Sequence, residues 1–213
     1  RIRSDIWVWI RMTRSVRDAR PKVLRPVHPN VGIEASYRRK LEKLIDEMHR
    51  SLQYWLLAAY RANPPEMAQD DSPATSIRRV LSRLSYRWRR RFDAAADELA
   101  KHFAAQAAQR STASLEAILR KGGFSVKFRT SRAVNDILQA TVAENVALIR
   151  SIPQQHLTAV EGHVMRSVQA GRDLKSLSDA LQQQFGATKR RAAFISLDQN
   201  NKCTAAIQRA RQI

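Results

Sequence analysis

The sequence is poor in the residues and patterns that mark disulfide-bonded or membrane-spanning proteins. Its 213 residues contain one cysteine, Cys203, which excludes an intramolecular disulfide and fits a reducing compartment. No apolar run approaches the roughly 20 residues that a membrane-spanning helix needs. The run from Ile6 to Ile10 is far too short for that purpose. The lone thiol of Cys203 is expected to be a small packing residue on a helix.

Motifs that perform catalysis or bind a cofactor are also missing. None of the five histidines belongs to an HExxH pattern or to a Cys/His ligand spacing. The phosphate-binding patterns GxxxxGK[ST] and GxGxxG do not occur, and no local motif would activate a cysteine. We therefore expect no enzymatic activity, no cofactor and no metal site. The histidines are His28, His49, His102, His156 and His163.

Acidic residues are scarce relative to basic ones. The chain has 38 Lys and Arg against 19 Asp and Glu, which gives a formal net charge of +19. Such an excess favours a polyanionic partner, which would be nucleic acid, an acidic protein surface or an anionic membrane. The alternative is that the basic side chains only solvate the surfaces of helices.

Residues 1–33 are predicted to form an extended basic arm. Three prolines interrupt any helical pattern there, and eight Lys or Arg stand against two acids between Arg1 and Arg25. Trp7 and Trp9 are two residues apart and so share one face of an extended chain. Because exposed tryptophans are unfavourable, they are expected to dock either into a partner or onto the protein's own helices. The docking residues are predicted to be Trp7, Trp9, Arg11, Arg14 and Arg17.

The first half of the chain is predicted to contain two long helices and a shorter one. Apolar residues recur with helical spacing over 36–62, and the Asn-Pro-Pro that follows ends this helix. A serine cap and the first-turn proline Pro73 begin a second helix over 72–109. A third helix is predicted over 112–122, where a Gly-Gly pair stops it.

The second half is predicted to consist of shorter helices and one β element. The alternation of apolar and polar residues over 124–128 indicates a short strand or a β-like crossing. Ser131 is expected to cap a helix to residue 149, Pro153 to begin another, and Gly171 to end it. A further helix is predicted over 174–185. The predicted fold class is therefore mainly α, with an extended arm, long antiparallel helices and then a bundle of shorter helices. The arm, the long-helix region and the C-terminal helical core are assigned to residues 1–33, 34–123 and 124–213.

The sharpest charge feature lies in the second predicted helix. Residues 74–92 contain seven arginines and neither Asp nor Glu. Several are three or four residues apart, so they line one helix face opposite the apolar stripe. We predict that this face binds DNA through its backbone or binds an acidic protein surface, although a purely solvated face is also open. The candidate binding residues here are Arg78, Arg79, Arg83, Arg87, Arg90 and Arg91, to which Arg89 is adjacent.

Four aromatic residues lie on the apolar stripes of these helices. They are therefore expected to pack in the core rather than to stack on single-stranded nucleic acid. These residues are Trp55, Trp88, Phe92 and Phe103.

A second basic run occurs near the C-terminus. Gly186 is expected to end one helix and Thr188 to cap the next, which would place Lys189, Arg190 and Arg191 in a first turn. Cations are disfavoured at that end by the helix dipole, so these three residues are predicted to bind an anionic partner, with solvation alone as the alternative.

Three segments of the second half form a pattern of their own. The first runs from Asn145 to Pro153 (NVALIRSIP). The second is Val164 to Val168, followed by Gly171, Leu174 and Leu177. The third comprises Arg191, Ala192, Ile195, Asp198, Gln199, Lys202, Ala206 and Arg209 to Gln212. Together they resemble the C-terminal core of phage Mu protein F-like minor head proteins, the phage head morphogenesis family. The chain departs from that family at Ser196 and Leu197, where Ala-Arg is usual.

The resemblance implies an assembly role rather than catalysis. It implies a minor head protein of a tailed phage or prophage, bound to the portal vertex inside the capsid and assembled in the host cytoplasm. Its partners would be the portal protein, the packaged DNA and, as further candidates, the major capsid or scaffold protein, in several copies around a ring. Because the chain begins with Arg and stops within a motif, we expect both ends of the native protein to extend further. Two alternatives are a sequence-neutral nucleic-acid-binding protein and a peripheral membrane protein that uses Trp7 and Trp9.

Overall fold

The computed structural model describes residues 24–62, 73–171 and 173–212. Within these ranges the chain forms four long helices: α1 (Val31–Ala62), α2 (Pro73–Lys121), α3 (Arg132–Gln169) and α4 (Leu174–Gln212). The prediction of a mainly α fold is confirmed. The predicted docking residues Trp7, Trp9, Arg11, Arg14 and Arg17 lie outside the described residues.

Consecutive helices run antiparallel. Tyr37 of α1 stacks on Phe103 of α2 with ring centroids 4.5 Å apart. Further along α1, Glu47 meets Arg91, which lies earlier on α2, so the two helices run in opposite directions. Contacts between α3 and α4, such as those described below, follow the same rule. The result is an up-down-up-down bundle.

The helices form a closed ring in chain order. Each helix packs against the next one in the chain, and α4 also packs against α1. α2 and α4 touch across the middle of the bundle, so they lie at opposite corners of it. Surfaces that face outward on α2 and on α4 are therefore on opposite sides of the molecule.

One hydrophobic cluster contains residues from all four helices. It is built from the apolar stripes that the sequence shows, because a stripe at 3.6-residue spacing faces one side of a helix. Burial of each large apolar side chain contributes about 1.5–3 kcal/mol. Its largest fully buried members include Phe92, Phe103, Leu41, Ile45, Met48, Leu52 and Ile149.

The prediction of a break in the helix near residue 110 was wrong. α2 runs without interruption from Pro73 to Lys121. The sequence between the predicted pieces has neither glycine nor proline, so nothing stops the helix there. Ser111, in the middle of the predicted gap, is buried against the neighbouring helices.

The prediction that Pro153 begins a new helix was also wrong, since this proline lies inside α3. An internal proline lacks one backbone hydrogen bond and costs about 3 kcal/mol. Pro153 is itself buried, and Ile149, Ile152 and Leu157 around it are almost inaccessible to solvent. Packing on both sides of the proline therefore keeps the helix continuous.

The predicted helix end at Gly186 was wrong as well. α4 continues through Gly186, which does not have a positive φ. Thr188 does not cap a helix, because its hydroxyl donates to the carbonyl oxygen of Gln184 at 2.9 Å. Lys189, Arg190 and Arg191 thus lie in the middle of a helix, and the unfavourable dipole interaction predicted for a first turn does not apply.

The predicted β element over 124–128 is not a strand, and the described residues contain none. A strand needs a neighbouring strand to pair with, and this segment crosses from α2 to α3 against helices only. The Phe128 N–H donates to the Glu116 carboxylate at 3.0 Å, and the Arg211 guanidinium lies 4.7 Å from the Phe128 ring centroid.

Three predicted boundaries are confirmed. Gly123 and Gly171 have positive φ values of 91° and 81° at the ends of α2 and α3. Ser131 caps α3 by accepting from the Val134 N–H at 3.3 Å. The helices after Ser131 are not shorter ones, however: α3 and α4 have 38 and 39 residues, whereas α1 has 32.

Candidate polyanion-binding surface

The arginines of α2 form one exposed surface, which we call the arginine ridge. Every one of its side chains is exposed to solvent. The opposite face of the same segment carries Ile77, Leu81, Leu84, Trp88 and Phe92, all buried in the core. The ridge consists of Arg78, Arg79, Arg83, Arg87, Arg89, Arg90 and Arg91.

The ridge follows the helix axis. Arg79, Arg83, Arg87 and Arg90 are three or four residues apart, so they share a narrow face. At 1.5 Å per residue this row is about 17 Å long. The buried side of the segment packs in the core and fixes the helix backbone, so the arginines project from fixed positions along the helix.

Most of the ridge has no counter-charge within the fold. Arg78, Arg83, Arg87 and Arg89 form no ion pair with any of the described residues. Arg91, at the end of the ridge, pairs with Glu47 at 2.6 Å. The central charges are therefore open to a partner.

Two aromatic residues contact the guanidinium groups at the C-terminal end of the ridge. Arg90 lies 5.7 Å from the Tyr86 ring centroid and donates to the Tyr86 hydroxyl at 3.2 Å. Arg91 lies 5.7 Å from the Trp88 ring centroid. The ridge ends where acids begin, at Asp93, which pairs with Arg150 of α3 at 3.1 Å.

The second predicted basic site behaves differently, although its three residues are adjacent. Lys189 pairs with Asp46 of α1 at 3.2 Å. Arg191 donates to the Ser151 hydroxyl of α3 at 2.9 Å and is half-buried. Of the three, only Arg190 is exposed. Because α4 lies across the bundle from α2, these residues do not join the ridge in one site.

Residues that carry the family resemblance meet in a buried polar network. Asn145 of α3 is completely buried and accepts from the Tyr37 hydroxyl of α1 at 2.8 Å. Its amide donates to the Gln199 side chain of α4 at 2.9 Å and to the Thr141 carbonyl at 2.8 Å. Burial raises the pKa of the Tyr37 hydroxyl well above its usual value. The network thus links α1, α3 and α4.

The network continues to the surface through charged groups. Gln199 donates to the Glu144 carboxylate at 2.8 Å. Lys202 lies 3.3 Å from Glu144 and 2.7 Å from Asp198. The hydrogen bond with Asp198, followed by the one with Glu144, raises the pKa of Lys202. The motif residues Asp198, Gln199 and Lys202 therefore make contacts within the fold.

The two positions that depart from the family pattern have opposite environments. Ser196 is fully buried, and its hydroxyl donates to the Ala192 carbonyl at 2.9 Å. Leu197 is 52% exposed, beside Phe194, which is 68% exposed. Where the family usually has an arginine, this chain therefore has an apolar patch on the outer face of α4.

A buried histidine was not recognised as a contact residue in the sequence. His156 of α3 lies 2.8 Å from the Thr188 hydroxyl of α4. Because that hydroxyl donates to Gln184, its oxygen accepts from Nδ1–H of His156. Burial, and then the nearby charge of His49, lowers the pKa of His156 to about 4. Burial also lowers the pKa of His49, which stacks on Phe185 with centroids 4.1 Å apart.

The remaining candidate residues are placed as follows. Cys203 is buried as predicted, and burial raises the pKa of its thiol to about 11. Trp88, Phe92 and Phe103 are core residues as predicted. The prediction for Trp55 was wrong: it is 47% exposed, because it lies on the outer side of α1 beside Tyr54.

The described residues contain neither a cluster of metal ligands nor a membrane-spanning helix. Among residues 24–62, 73–171 and 173–212, no three His, Cys, Asp or Glu side chains come together in a way that would hold a metal ion. No helix in the part of the chain that the structure describes is long and apolar enough to cross a membrane.

Comparisons with known proteins give one distant relative. No protein-family model matches the chain, and no solved structure matches it. A protein of Haemophilus influenzae, named only as an uncharacterized protein, is 25% identical over 199 residues. The match covers 91% of this chain and 44% of the relative, so the chain spans less than half the length of the protein that it matches. These comparisons contain no link to phage Mu protein F, and that resemblance rests on the residues quoted above.

Proposed function

We propose that this chain is a structural minor head protein of a tailed phage or prophage. It binds the portal vertex inside the capsid and takes part in head assembly and DNA packaging. The observation that carries the proposal is the arginine ridge, a row of exposed arginines whose central members lack counter-charges within the described residues. Such a surface is suited to a polyanion.

The charge on the ridge has an energetic consequence. Like charges at i,i+4 on a helix repel each other by about 0.2–0.5 kcal/mol per pair. Arg79, Arg83 and Arg87 form two such pairs. A row of phosphates would offset this repulsion by attraction, and binding would release counterions from the nucleic acid. Contact with the DNA backbone, without reading of bases, is the simplest use of a row of guanidinium groups on one rigid helix.

The residues behind the family resemblance support the proposal in another way. Asn145 and Gln199 join α3 to α4 inside the bundle, and Arg191 joins α4 to Ser151. Contacts of these residues within the fold fit a structural role for the resembling segments. In this proposal the resembling segments build the body, and the ridge provides the surface for a partner.

The second candidate is a free-standing nucleic-acid-binding protein without sequence preference. The same unpaired arginines favour it, namely Arg83, Arg87 and Arg89. The two candidates differ in stoichiometry, since a portal-bound protein follows the copy number of a symmetric ring and a free DNA-binding protein does not.

Co-expression with the portal protein of the same phage or prophage tests the proposal. We expect co-elution in size-exclusion chromatography and ordered helical density on the portal ring in cryo-electron microscopy. The variant Arg83→Gln/Arg87→Gln/Arg89→Gln tells which partner the ridge serves: retained portal binding assigns the ridge to DNA. A bare portal ring, with this chain eluting alone, would reject the head-protein role and leave the nucleic-acid-binding alternative.

A further inference from the structure

An open cavity lies at the N-terminal end of α1, far from the arginine ridge. Its volume is about 420 Å³, and α1 and α2 provide its walls. Arg110 of α2 is one of the residues that line the cavity. It lies 19 residues beyond Arg91, which corresponds to roughly 28 Å along a helix. The polar walls are Asn30, Ser36, Gln106, Gln109 and Arg110.

The start of α1 leaves hydrogen-bond donors at this cavity. The first four N–H groups of a helix have no partner within the helix. Asn30 satisfies two of them, since Ile33 donates to its side chain at 3.1 Å and Glu34 to its carbonyl at 3.3 Å. The N–H groups of Val31 and Gly32 have no partner among the described residues. Gly32 lines the cavity without a side chain, at the positive end of the helix dipole.

Unpartnered buried side chains give an independent sign of a ligand. A smaller cavity of about 10 Å³ adjoins the first and shares Asn30, Ile33 and Arg110 with it. Ser111 and Asn200 line it and are only 5% and 2% exposed. Among the residues that the structure describes, neither Oγ of Ser111 nor Oδ1 of Asn200 has a hydrogen-bond partner.

The Ser111 hydroxyl can donate a hydrogen bond and Oδ1 of Asn200 can accept one, so a water molecule in the small cavity would suit both atoms. The volume of this cavity fits one water molecule. A water there can accept from the Ser111 hydroxyl and donate one hydrogen to Oδ1 of Asn200. Its second hydrogen is then free for a group in the larger cavity. The water therefore becomes a further donor beside the N–H of Gly32.

We propose that the larger cavity binds a small phosphate-class anion, either inorganic phosphate or a phosphate monoester. The donors available to it are the N–H of Gly32, the Arg110 guanidinium, the Ser36 hydroxyl and the bridging water. This arrangement suits the several oxygens of a tetrahedral anion, and the guanidinium supplies the countercharge. The volume of the cavity leaves room for a substituent on the phosphate.

The test is a titration of the full chain with inorganic phosphate at constant ionic strength, followed by amide NMR. We expect saturable shifts centred on the Gly32 and Val31 amides. Arg110→Gln should weaken binding about tenfold, because a charge-assisted hydrogen bond is lost. Arg120→Gln is the matched control: it removes an exposed arginine from the same helix outside the cavity and should leave the affinity unchanged.

Other outcomes are equally decisive. Shifts that do not saturate, or that survive in Arg110→Gln, would overturn the proposal, as would shifts confined to the arginine ridge. A crystal structure that shows only water in both cavities after a phosphate soak would do the same. Comparison of a 5′-phosphorylated oligonucleotide with its unphosphorylated form separates a nucleic-acid end from free phosphate as the source. The proposal is independent of the head-protein role, because Arg83→Gln/Arg87→Gln/Arg89→Gln should leave phosphate binding intact.

Discussion

The arginine ridge of α2 and the basic triplet of α4, Lys189 to Arg191, are similar in sequence and different in structure. On α2 the central arginines are exposed and have no ion pairs within the described residues. On α4 the lysine pairs with Asp46, and Arg191 donates to Ser151. One basic run is open to a partner, whereas the other mostly holds helices together.

The difference shows that a run of positive charge does not identify a binding surface by itself. The deciding factor is which face of the helix meets a neighbouring helix. The ridge arginines lie opposite an apolar stripe, so they point away from the core. In the triplet, Lys189 and Arg191 flank the outward position of Arg190 and so reach α1 and α3.

The largest expected effect on stability comes from removing Asn145, which lies at the centre of the polar network that links α1, α3 and α4. Asn145→Leu would leave the Tyr37 hydroxyl and the Gln199 side chain buried without their partners. Two such losses should lower the free energy of unfolding by about 3–4 kcal/mol, measured by urea denaturation. Affinity for DNA should be unchanged while the protein stays folded.

Asn201→Ala is the control for that variant, since Asn201 lies two residues after Gln199 on α4 and is exposed. Its free energy of unfolding should stay within about 0.5 kcal/mol of the parent value. Equal effects of the two substitutions would contradict a stabilising role for the network.

A second test uses pH, because the buried His156 of α3 lies against Thr188 of α4. The folded protein keeps His156 neutral down to about pH 4, whereas the unfolded chain binds a proton near pH 6.5. The unfolded state thus holds more protons between these values, so stability is complete above pH 6.5 and falls as the pH is lowered toward 4. The loss should be about 2–3 kcal/mol in denaturation experiments across this range.

His156→Gln should remove most of that pH dependence, although His49, whose pKa is also lowered, should leave a smaller slope. His102→Gln is the matched control because His102 is exposed on α2. An unchanged pH profile in His156→Gln would mean that His156 does not cause the loss.

The smallest effect is expected inside the triplet itself. Arg191→Ala removes the donor to Ser151 and should cost about 1 kcal/mol of unfolding free energy. Arg190→Ala removes an exposed side chain one position earlier and should cost less than about 0.5 kcal/mol. If thermal and urea denaturation give equal losses of unfolding free energy for the two variants, Arg191 does not make a stabilising contact.

The sequence predicts the helical character of the fold well, because apolar stripes and glycine turns are local signals. Gly123, Ser131 and Gly171 mark helix boundaries where local conformation decides the outcome. Pro153 and Gly186 give the same signals and do not break their helices, since tertiary packing overrides a cost of a few kcal/mol or less.

The candidate surface was predictable in part. The exposure of the arginine ridge follows from its position opposite the apolar stripe, and the structure agrees. The roles of Asn145, Gln199 and Arg191 did not follow, because their partners on other helices are 40 or more residues away in the chain. A polar residue on an otherwise apolar stripe, such as Asn145, is the one local signal that could have indicated a buried network.

Comparison of two charge-matched variants in DNA binding tests the central claim most directly. The first is Arg83→Gln/Arg87→Gln/Arg89→Gln on the ridge. The second is Arg39→Gln/Lys43→Gln/Arg190→Gln, which removes three exposed charges from α1 and α4. The log–log salt slope of duplex binding should fall by up to about 2.7 for the ridge variant, at about 0.9 per phosphate contact. The second variant should keep the parent slope, whereas equal losses in both would show that only net charge matters and would contradict a defined binding surface on α2.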